Sequence, residues 1–274
     1  MRYVQTEIRN NLDPLVEKPA MLTGYIPDNT IEVDMRRVHP AVLVLPGGGY
    51  GFTSSRENEA IALKFISEGI CAFVLNYHVA PVRFPQALCE ALLSIKYIRE
   101  HAEEYNIDPD NISVCGFSAG GHLAASTGVH WNNSYIKEIL GDKAYGINPN
   151  RLILAYPVIT SGEFAHRGSF ENLLGEENES EKLLELNSLE KQVSKDTPIT
   201  FLWHTYEDDL VPVQNSMLFA TALMEHKIPT ELHIYRRGWH GLSLGNHLVY
   251  GDWKYGQNHV TSDWIDMAIR FIYD

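Results

Sequence analysis

The chain has 274 residues, 45% hydrophobic and 21% charged, close to globular averages, which provides for one continuous core and excludes large-scale disorder. Its 22 Lys and Arg stand against 35 Asp and Glu, a net charge of -13, and no basic cluster presents itself to a phosphate backbone, so nucleic acid is excluded as a partner. The N-terminus MRYVQTEIRNN has no apolar stretch of signal-peptide length and no run of about 18 apolar residues occurs, so a cytoplasmic protein without a membrane span is expected.

Short β-rich runs alternate with helical periods along the chain, which predicts an α/β fold: a mostly parallel sheet flanked by helices on both faces. No linker interrupts the pattern, so residues 1–274 are read as one domain. Residues 41–45 (AVLVL) form the first buried strand, 57–68 the helix after it and 70–75 the next strand. Apolar residues at Ala87, Leu88, Ala91, Leu92, Ile95 and Ile98 recur at three and four, which predicts a helix over 84–105. The Asp108-Pro109-Asp110-Asn111 stretch then turns the chain into a strand over 112–117 and a Gly/Ala-rich helix over 118–126. Strands at 152–156, 199–203 and 231–235 follow, with a closing helix at 263–273. Between 157 and 198 the chain turns Gly- and Glu-rich, too long for a plain connection, and reads as a small insertion over the top of the sheet, either a lid shaping the substrate pocket or a solvated excursion without a role. Cys71, Cys89 and Cys115 are odd in number and lie in or beside apolar runs, which predicts buried thiols and a reducing compartment.

Gly116-Phe117-Ser118-Ala119-Gly120 fits Gly-x-Ser-x-Gly at a strand-to-helix junction, where the chain must turn sharply and hold the serine hydroxyl above the strand ends. A serine hydroxyl needs a base to take its proton and a carboxylate to orient that base. Downstream, Glu207, Asp208 and Asp209 compete at the end of a predicted strand; Pro212 starts a helix and leaves Asp208 in the loop, while Glu207 and Asp209 are expected to face solvent. Among the later histidines, His226, His233, His240, His247 and His259, His240 lies between Gly238 and Gly241 just beyond a strand, His226 falls in a helix and His233 in a strand, and His247 remains the competitor. None of these histidines shows the paired spacing of a zinc motif, and the chemistry calls for no metal or organic cofactor. Pro46-Gly47-Gly48-Gly49-Tyr50-Gly51 follows the first strand and supplies backbone N–H groups for an oxyanion, with the N–H of Ala119 as the other donor. The Lys-Ser/Thr pair of a phosphate-binding loop does not follow these glycines.

These motifs resemble the hormone-sensitive-lipase-like branch of the α/β-hydrolases, in particular the small bacterial esterases described as acetyl xylan esterases. PGGGY is similar to that branch's oxyanion motif, Asn76-Tyr77-His78-Val79-Ala80-Pro81 to its Asp-Tyr-Arg-Leu-Ala-Pro segment, and GFSAGGH to its elbow. Phe84-Pro85-Gln86 resembles the start of its following helix. The resemblance implies an α/β-hydrolase fold with Ser118, Asp208 and His240 as triad and Gly48, Gly49 and Ala119 as oxyanion donors. Pro46 stands where lipase-like members carry His, and no long cap region precedes the core, which implies an open site and a small acyl group.

The expected activity is hydrolysis of short acyl esters, chiefly acetyl groups on sugars, with Tyr50, Phe52, Trp131 and Trp239 as aromatic candidates for a sugar surface. Arylformamide or peptide hydrolysis on the same constellation, and a non-catalytic binding protein on a hydrolase scaffold, are the alternatives. A homodimer is the expected assembly.

Overall fold

The computed structural model describes residues 1–250 and 259–274. In chain order the regular elements are β1 (Arg2–Ile8), β2 (Ala20–Ile26), β3 (His39–Leu45), α1 (Glu59–Ser67), β4 (Cys71–Asn76), α2 (Gln86–Glu100), α3 (Ala102–Tyr105), β5 (Ile107–Phe117), α4 (Ala119–His130), α5 (Ser134–Leu140) and β6 (Arg151–Ala155). They continue with α6 (Arg167–Leu174), α7 (Glu181–Leu186), β7 (Ile199–Thr205), α8 (Gln214–Glu225), β8 (Thr230–Tyr235), α9 (His247–Tyr250) and α10 (Trp264–Tyr273).

The strands form one eight-stranded sheet in the order β1-β2-β4-β3-β5-β6-β7-β8. Pairs β1/β2 and β2/β4 are antiparallel, and every pair from β4 to β8 is parallel. Strand β3 shows why the centre reads as a continuous apolar run: all seven of its residues are buried, because both faces are covered. Ala41, Leu43 and Leu45 join a core with α2, α4 and α8 on one face; Val42 and Val44 join α1 and α10 on the other.

Several elements depart from the sequence expectation. Strands β1 and β2 were not anticipated, because β1 is amphipathic, with Val4, Thr6 and Ile8 facing in and its other side chains out in water. The helix expected over 84–105 breaks at His101, where a non-helical residue separates α2 from α3. The expected turn at 108–111 is a bulge inside β5: His39 pairs with Ile107 but Ala41 with Ile112, so the intervening residues loop out of register. Helix α4 runs on to His130, one turn beyond the Gly/Ala stretch. The three cysteines are buried free thiols, as expected.

The 157–198 insertion holds α6, α7 and short 3-10 turns, and it is tied down at both ends of the site region. Asn172 donates its side-chain N–H to the Gly49 carbonyl at 2.8 Å. The His122 Nε2–H of α4 donates to the Asn187 carbonyl at 3.0 Å.

Candidate active site

Ser118 sits between β5 and α4 at φ 53°, ψ -120°, a conformation that is sterically costly for a residue with a Cβ and forces its side chain out of the chain path. Two glycines make the turn possible. A Cβ on Gly116 would lie 2.1 Å from the Gly120 carbonyl oxygen, and one on Gly120 would lie 2.2 Å from the Leu45 carbonyl oxygen. The backbone is further pinned by Ser118 N–H to Ala155 O at 3.0 Å and Val158 N–H to Ser118 O at 3.1 Å, which anchor the turn to the neighbouring strand β6.

His240 lies in the loop after β8 and brings its ring to this hydroxyl: Nε2 is 2.7 Å from Ser118 Oγ. Its Nδ1 is 2.7 Å from Asp208 Oδ2. Asp208 in turn accepts the Val211 and Leu210 N–H groups on Oδ1, at 2.9 and 3.1 Å, in the turn that precedes α8. His204, at the end of β7, backs the same carboxylate, with Nε2 at 3.3 Å from Oδ2 and 2.9 Å from the Val211 carbonyl, while Nδ1 meets Ser216 Oγ at 2.8 Å. Burial opposes charge on Asp208, but the bonds from His204 and His240 outweigh it and hold the carboxyl well below its ordinary range. Glu207 accepts the Gly238 N–H and Asp209 is exposed, so neither meets the imidazole. His247 lies in α9, and His226 caps α8 with Nδ1 on the Ala222 carbonyl.

Gly48 and Gly49 follow β3 with φ of 131° and 62°, and they line the same cleft as Ser118 and His240. A Cβ on Gly48 would strike the Phe52 carbonyl at 2.0 Å. Ala119, the other expected donor, is fully buried at the N-terminus of α4. The cleft has a volume of about 420 Å³, and its remaining walls include Phe52, Arg56, Glu57, His166, Leu210 and Gly241.

Three of these wall residues, Glu57, Arg56 and His166, carry chemistry that the sequence did not disclose. The buried Glu57 carboxylate accepts the Gly47 N–H at 2.9 Å and the Tyr156 hydroxyl at 2.6 Å. Arg56 extends over the Tyr250 ring, 5.4 Å from its centre. His166 comes from the insertion, its Nδ1 bonded to Ser169 Oγ at 2.8 Å; burial and the nearby His240 push its pKa down. Leu210 is half exposed at the rim. None of these carried a usable sequence signal; His204, which backs Asp208 from behind the cleft, did, since it stands four residues before Asp208 at the end of β7.

Three aromatic expectations are corrected. Tyr50 is 2% exposed; its hydroxyl donates to His122 Nδ1 at 2.8 Å and its ring packs on Tyr77, so it belongs to the core beneath the glycine loop. Trp131 ends α4, away from the cleft walls, with its indole N–H on the Asp196 carbonyl at 3.1 Å. Trp239 packs edge-on against Tyr250 and His259, behind the loop that presents His240. Phe52 alone of the four reaches the cleft.

The family model BD-FAE matches residues 28–223, which span β3, the elbow and the insertion. The chain belongs to the BD-FAE family of α/β-hydrolases. It is 41% identical over 246 residues to endo-1,4-beta-xylanase B of Butyrivibrio fibrisolvens, covering 86% of this chain and 36% of that protein. It is 31% identical over 253 residues to an acetylxylan esterase of Xylanibacter ruminicola, covering 90% of this chain and 49% of that one. This BD-FAE chain therefore spans between a third and a half of these two relatives. Among solved structures, an acetyl ester-xyloside bifunctional hydrolase from Caldicellulosiruptor lactoaceticus superimposes with a TM-score of 0.82 at 37% identity, covering 98% of this chain and 95% of that one. The chain is thus an α/β-hydrolase whose kin are carboxylic ester hydrolases.

Proposed function

We propose that this BD-FAE protein is a serine carboxylesterase that removes short acyl groups, acetyl above all, from xylo-oligosaccharides. The observation that carries the reading is the unbroken relay from Ser118 Oγ through His240 to Asp208, both links 2.7 Å, opening into a cleft walled by Gly48 and Gly49. A scaffold kept only for binding has no use for a base already hydrogen-bonded to the hydroxyl at a strained turn. The sugar half of the reading draws on the acetylxylan esterase and xylanase relatives.

In this reading Ser118 Oγ attacks the ester carbonyl carbon as its proton passes to His240 Nε2. Negative charge develops on the carbonyl oxygen, and the N–H groups of Gly48, Gly49 and Ala119 stabilise it. His240 then returns the proton to the departing sugar oxygen, leaving an acyl-Ser118 ester. A water molecule, deprotonated by His240, attacks that ester; collapse frees the carboxylic acid and restores the serine. Asp208 holds the imidazole by Nδ1 and stabilises its cationic form throughout.

Initial rates on p-nitrophenyl esters from acetyl to octanoyl, alongside acetylated xylo-oligosaccharides, test the reading with wild type and Ser118→Ala in parallel. The expected result is preference for acetyl, release of acetate from the oligosaccharides, and loss of about 10⁴-fold or more in kcat in the variant. Turnover of formamides or peptides without ester turnover would reassign the reaction. Turnover of nothing, with no phosphonate labelling of Ser118, would leave a binding protein.

A further inference from the structure

Next to the Ser118 cleft, and sharing the 51–54 segment with it, lies a second concavity, an open groove of about 760 Å³. Phe52 is a wall of both. Phe52 is 63% exposed, an unusual position for a phenyl ring, which gains free energy by leaving water. The ring's base is nevertheless fixed: the Phe52 N–H donates to the Gly48 carbonyl at 3.2 Å, and the Gly51 N–H closes on the same oxygen at 3.0 Å. Phe52 therefore stands at a set distance from the oxyanion loop, between the cleft and the groove.

The groove is lined by apolar and polar side chains together. Val79 and Val82 line it beside Thr53, Asn76, Lys18 and His78. Thr53 Oγ1 donates to Asn76 Oδ1 at 2.9 Å, which orients that amide and leaves its N–H₂ end for a ligand. His78 is clamped by Glu90, Nδ1 to Oε1 at 2.6 Å, so this part of the wall is rigid. A fatty acyl chain is best served by an enclosed apolar tunnel; this groove is open and offers amide, hydroxyl and ammonium groups next to an aromatic face. A pyranose ring, with one apolar C–H face and hydroxyls around its edge, matches that mixture.

We infer that the groove is a sugar subsite: it receives the pyranose units next to the one whose ester sits at Ser118, with a ring laid on Phe52. The inference rests on the esterase reading above and deepens it, since it makes the enzyme selective for oligomers over acetylated monosaccharides.

Two measurements on the full chain test it. Rates on acetylated xylobiose, xylotriose and xylotetraose are expected to give a kcat/KM that climbs with length, carried by KM. Asn76→Ala, which lies outside the cleft, is expected to flatten that climb about tenfold at the tetramer while p-nitrophenyl acetate turnover stays within twofold; Phe52→Ala is expected to flatten it as well. Flat length dependence in wild type, or a gradient untouched in both variants, overturns the subsite, and so does a gradient in acyl length that the same variants abolish. Calorimetric titration of unacetylated xylotetraose into Ser118→Ala protein reads the groove without chemistry: binding weakened by Phe52→Ala supports the subsite and no binding overturns it. Failure of p-nitrophenyl acetate hydrolysis in wild type, with xylotetraose binding intact, would sink the esterase reading alone.

Discussion

The Tyr156 hydroxyl donates to the buried Glu57 carboxylate at 2.6 Å, and the Tyr156 ring stands edge-on to the imidazole of His240, 5.0 Å between centres. The same hydroxyl accepts the Ser243 N–H at 2.9 Å, three residues after His240, and the other Glu57 oxygen accepts the Gly47 N–H at 2.9 Å. One carboxylate thus connects the loop that carries His240 to the glycine loop after β3.

Glu57→Gln keeps the volume of this tie but turns one acceptor into a donor, so either Gly47 N–H or the Tyr156 hydroxyl loses its partner. A hydrogen bond to a charged group contributes about 1.5–3 kcal/mol, and losing one from the positioning of His240 and Gly48 lowers kcat about 10- to 100-fold. Because neither partner touches substrate, KM for p-nitrophenyl acetate is expected to move by less than about threefold. Steady-state kinetics separate the two, and a variant with unchanged kcat would show that Glu57 holds no catalytic geometry.

Of the three adjacent carboxylates, only Asp208 meets His240. Asp208→Asn leaves the shape but offers the imidazole the wrong partner, and kcat is expected to fall by about 10³- to 10⁴-fold. Glu207→Gln and Asp209→Asn are expected to cost less than about threefold, since one caps a loop N–H and the other faces water. Equal mild losses at all three positions, measured on one ester, would contradict the triad.

The parallel half of the sheet was legible because its strands are buried on both faces and so are written as unbroken apolar runs, AVLVL in β3 being the clearest. The position of Asp208 was legible for a local reason too: Pro212 stands just before α8, which leaves Asp208 in the loop after β7, and that loop folds back onto the carboxylate through the Leu210 and Val211 N–H groups. Side-chain direction was not legible. Tyr50 adjoins the glycine loop in sequence, yet its φ of 57° turns the ring inward to His122, whereas Phe52, two residues on, turns out. Glu57 and His166 come from a 3-10 turn and from the insertion; no motif marks either, and only the tertiary fold brings them to Ser118.

Close packing at the elbow sets a sharp steric limit. A Cβ on Gly120 would lie 2.2 Å from Leu45 O and 2.4 Å from Pro46 O, backbone atoms at the end of the central strand that cannot retreat without breaking the sheet. Gly120→Ala is expected to cost more than about 3 kcal/mol or to prevent folding. Gly168→Ala is the control: its Cβ would meet only His166 Cε1 at 3.7 Å, and within α6 alanine is favoured over glycine by up to about 1 kcal/mol. Urea denaturation of both proteins checks the contrast, and a soluble, fully stable Gly120→Ala would refute the packing at the elbow.

His122 gives the fold a built-in dependence on pH. Its ring is 1% exposed, with Nδ1 accepting from Tyr50 and Nε2–H donating to Asn187, an arrangement that only the neutral imidazole completes. Burial drives its pKa down to about 4, partly offset by the bond to the Asn187 carbonyl. The unfolded chain carries an ordinary imidazole near pKa 6.5, so between those values it binds the proton that the folded state refuses. The contribution is therefore complete above about pH 6.5 and is lost as pH falls toward 4, a change of about 3 kcal/mol. His122→Gln removes the titration, so the stability gap between wild type and variant is expected to be wider at pH 7.5 than at pH 4 by about that amount. Urea melts of both proteins at pH 7.5, 5.5 and 4 measure the gap; a constant gap would mean that the ring is free to take up its proton in the folded protein, and that the bridge from the oxyanion loop through α4 to the insertion does not depend on a neutral His122.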